Sequence, residues 1–225
     1  MQLEIKNTIL HGFIEHPKLC RLVQCTAEVS CKFTTGLNFI FCNLQDDGWA
    51  VSHAICDGSI VAPYPPIEII LNNKIISIKE LNEMSYYVGA EKDKYQLPDK
   101  RWHRVKKSIN DRLKAACKTT GKSIDEIKKL FILKEERCSI PITWGSSLLE
   151  EHSTAIGFAQ GKRIFCFPWM REGIAGQSYN RNWEFYVDIA KEHDLIFVIP
   201  HEPLKNSTSF IFDYNIVNLQ IGHSI

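Results

Sequence analysis

Along the first eighty residues, short apolar runs alternate with turn chemistry, and that pattern predicts β structure. Residues 37–44 (LNFIFCNL) form a mainly apolar run, followed by the turn-forming Gln45-Asp46-Asp47-Gly48. Residues 49–56 then alternate. Trp49, Val51, His53 and Ile55 fall on one face, and Ala50, Ser52, Ala54 and Cys56 on the other, which is the period of a strand. Asp57-Gly58 marks a further turn. Residues 67–71 and 74–78 flank Asn72-Asn73 and predict a hairpin. A longer strand is expected over 21–33, and Glu4-Ile5-Lys6 lies in another. Successive hairpins imply an antiparallel meander, curved into a half-barrel.

Residues 81–99 read as irregular, with Tyr86-Tyr87, Gly89 and Pro98. The period then changes to that of a helix. Trp102, Val105, Ile109, Leu113 and Ala116 form one apolar stripe, and Lys100, Arg104, Lys107, Lys114 and Lys118 line another face. Thr119-Thr120-Gly121 ends this helix. Ser123-Ile124-Asp125-Glu126 has the form of a capping box opening a second, whose core face is Ile124, Ile127, Leu130 and Phe131. Beyond residue 139 the pattern is mixed. A strand is expected at 140–144, and a hairpin joining 154–159 to 163–167 across Gln160-Gly161-Lys162. A glycine-containing loop over 168–181 leads to a helix at 182–193, capped by Asn182. The wholly apolar 195–200 predicts a strand covered on both faces, and 210–219 a last strand. The expected fold is therefore one α+β domain over 1–225. It has an N-terminal antiparallel β meander (1–80), a central basic helix pair (100–135) and a C-terminal mixed α/β layer (139–225).

Composition adds exclusions. The chain is 44% hydrophobic and 24% charged, as globular proteins are. It has no apolar run long enough for a membrane helix. No basic region followed by an apolar stretch opens it, so no secretory signal is expected. Its eight cysteines form no C-x-x-C pair and mostly sit in apolar runs. They read as free thiols in a reducing, cytoplasmic setting. His53-Ala54-Ile55-Cys56 offers two zinc ligands, but no second close pair completes a site.

Charge changes the picture more. The net charge is only +1, yet residues 91–137 hold 15 Lys and Arg against 8 Asp and Glu. The rest of the chain is correspondingly acidic. Such a split predicts either a polyanionic partner or a well-solvated helix pair. Lys100, Arg101, Arg104, Lys107 and Lys114 are the candidate DNA-backbone contacts.

The short catalytic signatures are missing: no G-x-x-x-x-G-K-[ST], no G-x-G-x-x-G, no G-x-S-x-G and no H-E-x-x-H. Two candidate centres remain. Asp57, ending one predicted strand, and Glu68, within another, could hold Mg²⁺ as nuclease carboxylates do. An edge strand is the alternative explanation for Glu68. Alternatively, a βαβ unit made of 163–167, 182–193 and 195–200 brings Arg171, Glu172, His201 and Glu202 to one sheet edge, where open α/β sheets keep their chemistry. The expected function is a DNA-acting hydrolase, a small restriction-type endonuclease or base-excising enzyme. It would act as a homodimer on a palindromic target. Two alternatives stand beside it: a non-catalytic immunity or adaptor module, and a small-molecule hydrolase or transferase using the 168–202 edge.

Overall fold

The structure is a computed structural model that describes residues 1–16, 21–42, 51–52, 54–56, 68–88, 107–141, 149–168, 170, 179–203, 212–218 and 220–221. The chain divides into two compact units, Met1–Ser85 with Arg163–Ile225, and Tyr86–Lys162. The class is α+β, with one antiparallel and one parallel sheet.

The first unit opens with two long strands, β1 (Gln2–His16) and β2 (Arg21–Thr34), paired antiparallel with a register shift between Ile5 and Thr8. Leu3 and Ile5 of β1 are buried while Glu4 and Lys6 are not, the alternation that one covered face demands. β4 (Glu68–Leu71) pairs with β1, and β5 (Lys74–Ile76) with β4. The turn between them is the predicted Asn72-Asn73. Both residues have positive φ, 49° and 65°, as a tight hairpin turn requires and asparagine tolerates. With β10 (Gln220–Ile221) the strand order is β10-β2-β1-β4-β5.

β3 (Gly36–Phe41) does not continue this meander. It joins a parallel sheet of order β6-β7-β8-β3-β9. β3 pairs with β8 (Ile196–His201) from Gly36 opposite Ile196 to Phe41 opposite His201. β7 (Ile164–Cys166) is also parallel to β8, and β9 (Asn215–Ile216) to β3. β7 and β8 are buried at every residue, which is why their sequences are apolar runs without alternation.

The chain after β3 holds the first departure from the sequence pattern. Residues 51–52 and 54–56 are helical, not a strand. Val51, Ala54 and Ile55 are buried at helical spacing, but so are Ser52 and Cys56. A segment buried all round shows no face, so its period-two alternation carried no information. The same holds for 154–159, which close α5 (Leu149–Ala159) instead of forming a hairpin strand. Every residue from His152 to Ala159 is buried, and Gly161, at φ 80°, turns the chain after the helix. Residues 78–84, expected to fall in irregular chain from 81 onward, form α1 (Ile78–Met84). A reciprocal Ser77–Glu80 capping box opens it, and β6 (Ser85–Tyr87) follows.

The second unit is helical. α2 (Ile109–Thr120) starts later than its stripe suggests, at a capping box formed by Ser108 and Asp111. Ile109, Leu113 and Ala116 are buried as expected, while Trp102 and Val105 lie outside the described residues. Gly121 ends α2 in the left-handed region, at φ 73°. α3 (Ile124–Leu130) follows with Ser123 accepting from the Glu126 amide, and then α4 (Glu135–Cys138). Of the predicted core face of α3, Ile127 and Phe131 are buried and Ile124 and Leu130 half-buried. Phe131 meets Phe158 of α5 at 5.5 Å between ring centroids.

Candidate functional site: the C-terminal edge of the parallel sheet

The βαβ unit expected from sequence is present. β7 leads through α6 (Tyr179–His193) to β8. α6 packs on β3, with the Trp183 ring 5.5 Å from that of Phe39. β7 and β8 therefore end on one edge, and β3 ends beside them. Backbone hydrogen bonds lock that edge. The Cys42 amide donates to the His201 carbonyl at 2.8 Å. The Met170 amide donates to the Pro200 carbonyl at 3.0 Å, and the Glu202 amide to the Met170 carbonyl at 2.8 Å.

His201 is 2% exposed. Its ring lies edge-on to Phe39 and Phe41, at 5.9 and 6.0 Å between centroids. Nδ1 is 2.6 Å from the Glu202 carbonyl oxygen. A carbonyl can only accept, so Nδ1 carries a hydrogen in this contact. Glu202 is half-buried beside it. Arg171 and Glu172, expected at the same edge, lie outside the described residues.

Of the second candidate centre, only Glu68 lies among the described residues. Glu68 opens β4 in the antiparallel sheet, exposed, with its carboxylate 3.8 Å from Lys6, its partner in register on β1. β4 lies between β1 and β5, so the edge-strand explanation fails. A cross-strand ion pair at a solvent-facing strand start accounts for the carboxylate instead. Asp57 lies outside the described residues, as do Lys100, Arg101 and Arg104. Lys107 is exposed just before the Ser108 cap, and Lys114 is exposed on α2 in the other unit. Among the described residues no group of three or more His, Cys, Asp or Glu is arranged to hold a metal ion.

One feature of this edge was not read from the sequence. Residues 43–50 stand between β3 and the helical residues 51–52 and 54–56, and a P-loop likewise stands between a strand and a helix. With Gly48 as the second glycine of G-x-x-x-x-G-K-[ST], the other fixed places fall on Asn43, Trp49 and Ala50. The sequence signal is the apolar 37–41 followed by Gly48.

No family model matches this chain, and neither does any curated protein. Solved structures do. A putative ABC transporter ATP-binding protein from Pyrococcus furiosus is similar with a TM-score of 0.56 and 16% identity, over 95% of this chain and 97% of that one. The ATP-binding subunit of an ABC transporter gives 0.55 and 13%, over 96% and 85%. The cbiO1 part of an ABC transporter complex from Clostridium perfringens gives 0.58 and 13%, over 96% and 84%. Such likeness, spanning nearly the whole chain at low identity, is likeness of fold. It overturns the expected restriction-type endonuclease or base-excising enzyme and its DNA partner. The homodimer argued from a palindromic target loses its ground with them. Among the described residues no helix is long and apolar enough to cross a membrane.

Proposed function

We propose that this chain is an ATPase-like subunit of the ABC transporter type that does not turn ATP over. The observation that carries this is the composition of residues 43–50, which follow β3 in the sequence. In a P-loop, glycines let backbone amides close on the phosphates, the lysine reaches the β- and γ-phosphates, and the Ser or Thr hydroxyl holds Mg²⁺. Here Trp49 supplies no cation and Ala50 no hydroxyl, and Asp46-Asp47 adds negative charge beside the only glycine, Gly48. Loss of one charge-assisted hydrogen bond costs about 1.5–3 kcal/mol, roughly a ten- to hundredfold loss of phosphate affinity. Loss of the Mg²⁺ hydroxyl adds to it. In this reading the chain occupies an ATP-binding subunit's place in a larger cytoplasmic assembly, with Mg²⁺–ATP chemistry carried elsewhere.

Phosphate release from Mg²⁺–ATP by the purified chain tests this. The expected rate equals that of a blank without protein. Mg²⁺-dependent release that disappears on His201→Ala or Glu202→Gln overturns the proposal and returns those residues to catalysis at the sheet edge.

A further inference from the structure

The helical unit carries a cleft of about 680 Å³ between α2 and α3. This is within the size range of small-ligand sites. Lys114 and Lys118 of α2, Lys122 of the connecting turn and Lys128 of α3 line it. The turn leaves it open: a Cβ added to Gly121 meets no atom within 4 Å.

The charges around it are unequally matched, with four lysines lining it against the carboxylates of Asp111 and Asp125. Lys128 is taken up by Glu135, at 2.6 Å. Asp111 is turned to its own helix start, where its carboxylate accepts from the Ser108 amide and hydroxyl. Lys114 and Lys118 are exposed, and among the described residues neither stands in an ion pair. Lys122 is the unusual one. It is half-buried, and its ammonium donates to the Phe158 carbonyl at 2.6 Å and sits 3.9 Å from the centre of the Phe158 ring. Both partners are uncharged. Partial burial without a carboxylate pushes its pKa down. A partly desolvated cation held only by a carbonyl and a ring face is stabilised by any anion that enters the cleft beside it.

We infer that the α2–α3 cleft is a binding site for a small phosphorylated anion, held by Lys114, Lys118 and Lys122. A phosphate group fits the donor set, since three lysines lining one cleft match an acceptor with several oxygens and more than one charge. The site is independent of the sheet edge and of Asp46 and Asp47, so it stands whether or not the chain turns ATP over.

Calorimetry with tripolyphosphate on the full chain, at constant ionic strength, tests it. Saturable binding is expected, weakened at least about tenfold by Lys114→Ala with Lys118→Ala. Both positions are exposed, so the double variant folds. Lys122→Met should weaken binding further and Lys122→Arg retain it. Three results overturn the inference: no saturable binding, equal binding of sulfate at matched ionic strength, or unchanged affinity in the double variant. Binding of polyglutamate without tripolyphosphate also overturns it, because the cleft then takes an acidic segment.

Discussion

Asp194 shows how much one residue can gather. It sits between α6 and β8 with φ at 53°, a left-handed conformation that Asp tolerates. Its carboxylate accepts from the Met1 ammonium and the Thr35 hydroxyl, and from Arg163 at 2.7 Å. These link the starts of β1, β3 and β7 to the start of β8. The hydrogen bond from the Met1 ammonium, then that from Thr35, holds the Asp194 carboxyl below its ordinary range. A group whose folded pKa is depressed stabilises the fold above its unfolded pKa, and that stability is lost as pH falls through the folded value. The carboxylate is nearly half exposed, so solvent screening limits its contribution to about 1 kcal/mol. Asparagine also tolerates positive φ, so Asp194→Asn isolates the charge from the backbone. Urea denaturation should show a loss of about 1 kcal/mol at neutral pH. The difference from wild type should vanish below the carboxylate range. A difference that persists there assigns the effect to geometry.

Residues also show what was legible about the site. His201 and Glu202 were placed correctly at a sheet edge because a βαβ unit fixes where strand ends go, whatever their side chains do. Asp57 and Glu68 are paired only as the end of one predicted strand and a position within another. Glu68 proved to be the cross-strand partner of Lys6, and register is not visible in a single strand's composition.

Elements with one covered face were the readable ones. The β4–β5 hairpin, the end of α2 at Gly121 and the start of α3 at Ser123 all follow from local chemistry. The buried segments 51–56 and α5 did not, because uniform burial erases the period that distinguishes helix from strand. The junction after α3 shows a different tension. Ile132 has φ 52° and is 75% exposed. The Leu133 amide donates to the Lys128 carbonyl at 2.9 Å, the closing bond of a helix C-terminal turn whose left-handed place normally takes glycine. A β-branched residue there is strained by about 1–2 kcal/mol. Its exposed side chain returns little by burial. Ile132→Gly should therefore stabilise the protein by about 1 kcal/mol, less the backbone entropy that glycine adds to the unfolded chain. Thermal melting would show a rise of a few degrees. A fall would mean that the isoleucine side chain makes a contact worth more than its strain.

At the scale of the whole molecule, the helical unit is an excursion from the first. The chain leaves through β6 and returns at Arg163, whose amide donates to the Met84 carbonyl at 2.9 Å. Departure and return are thus neighbours, the condition under which an inserted unit can be removed without breaking its host. The host keeps its own core. Phe39, Phe165, Phe197 and Trp183 are fully buried in it, around the parallel sheet. Val88 lies four residues beyond Met84 and so at most about 14 Å from it, a span that roughly eight flexible residues cover. Replacing 89–161 with such a Gly/Ser linker should leave a shortened protein that melts cooperatively and keeps dispersed amide resonances. It should also lose tripolyphosphate binding, because Lys114, Lys118 and Lys122 leave with the helices. A shortened chain that collapses without a cooperative transition would show that the two units fold only together. A folded one that still binds tripolyphosphate would move the anion site into the first unit.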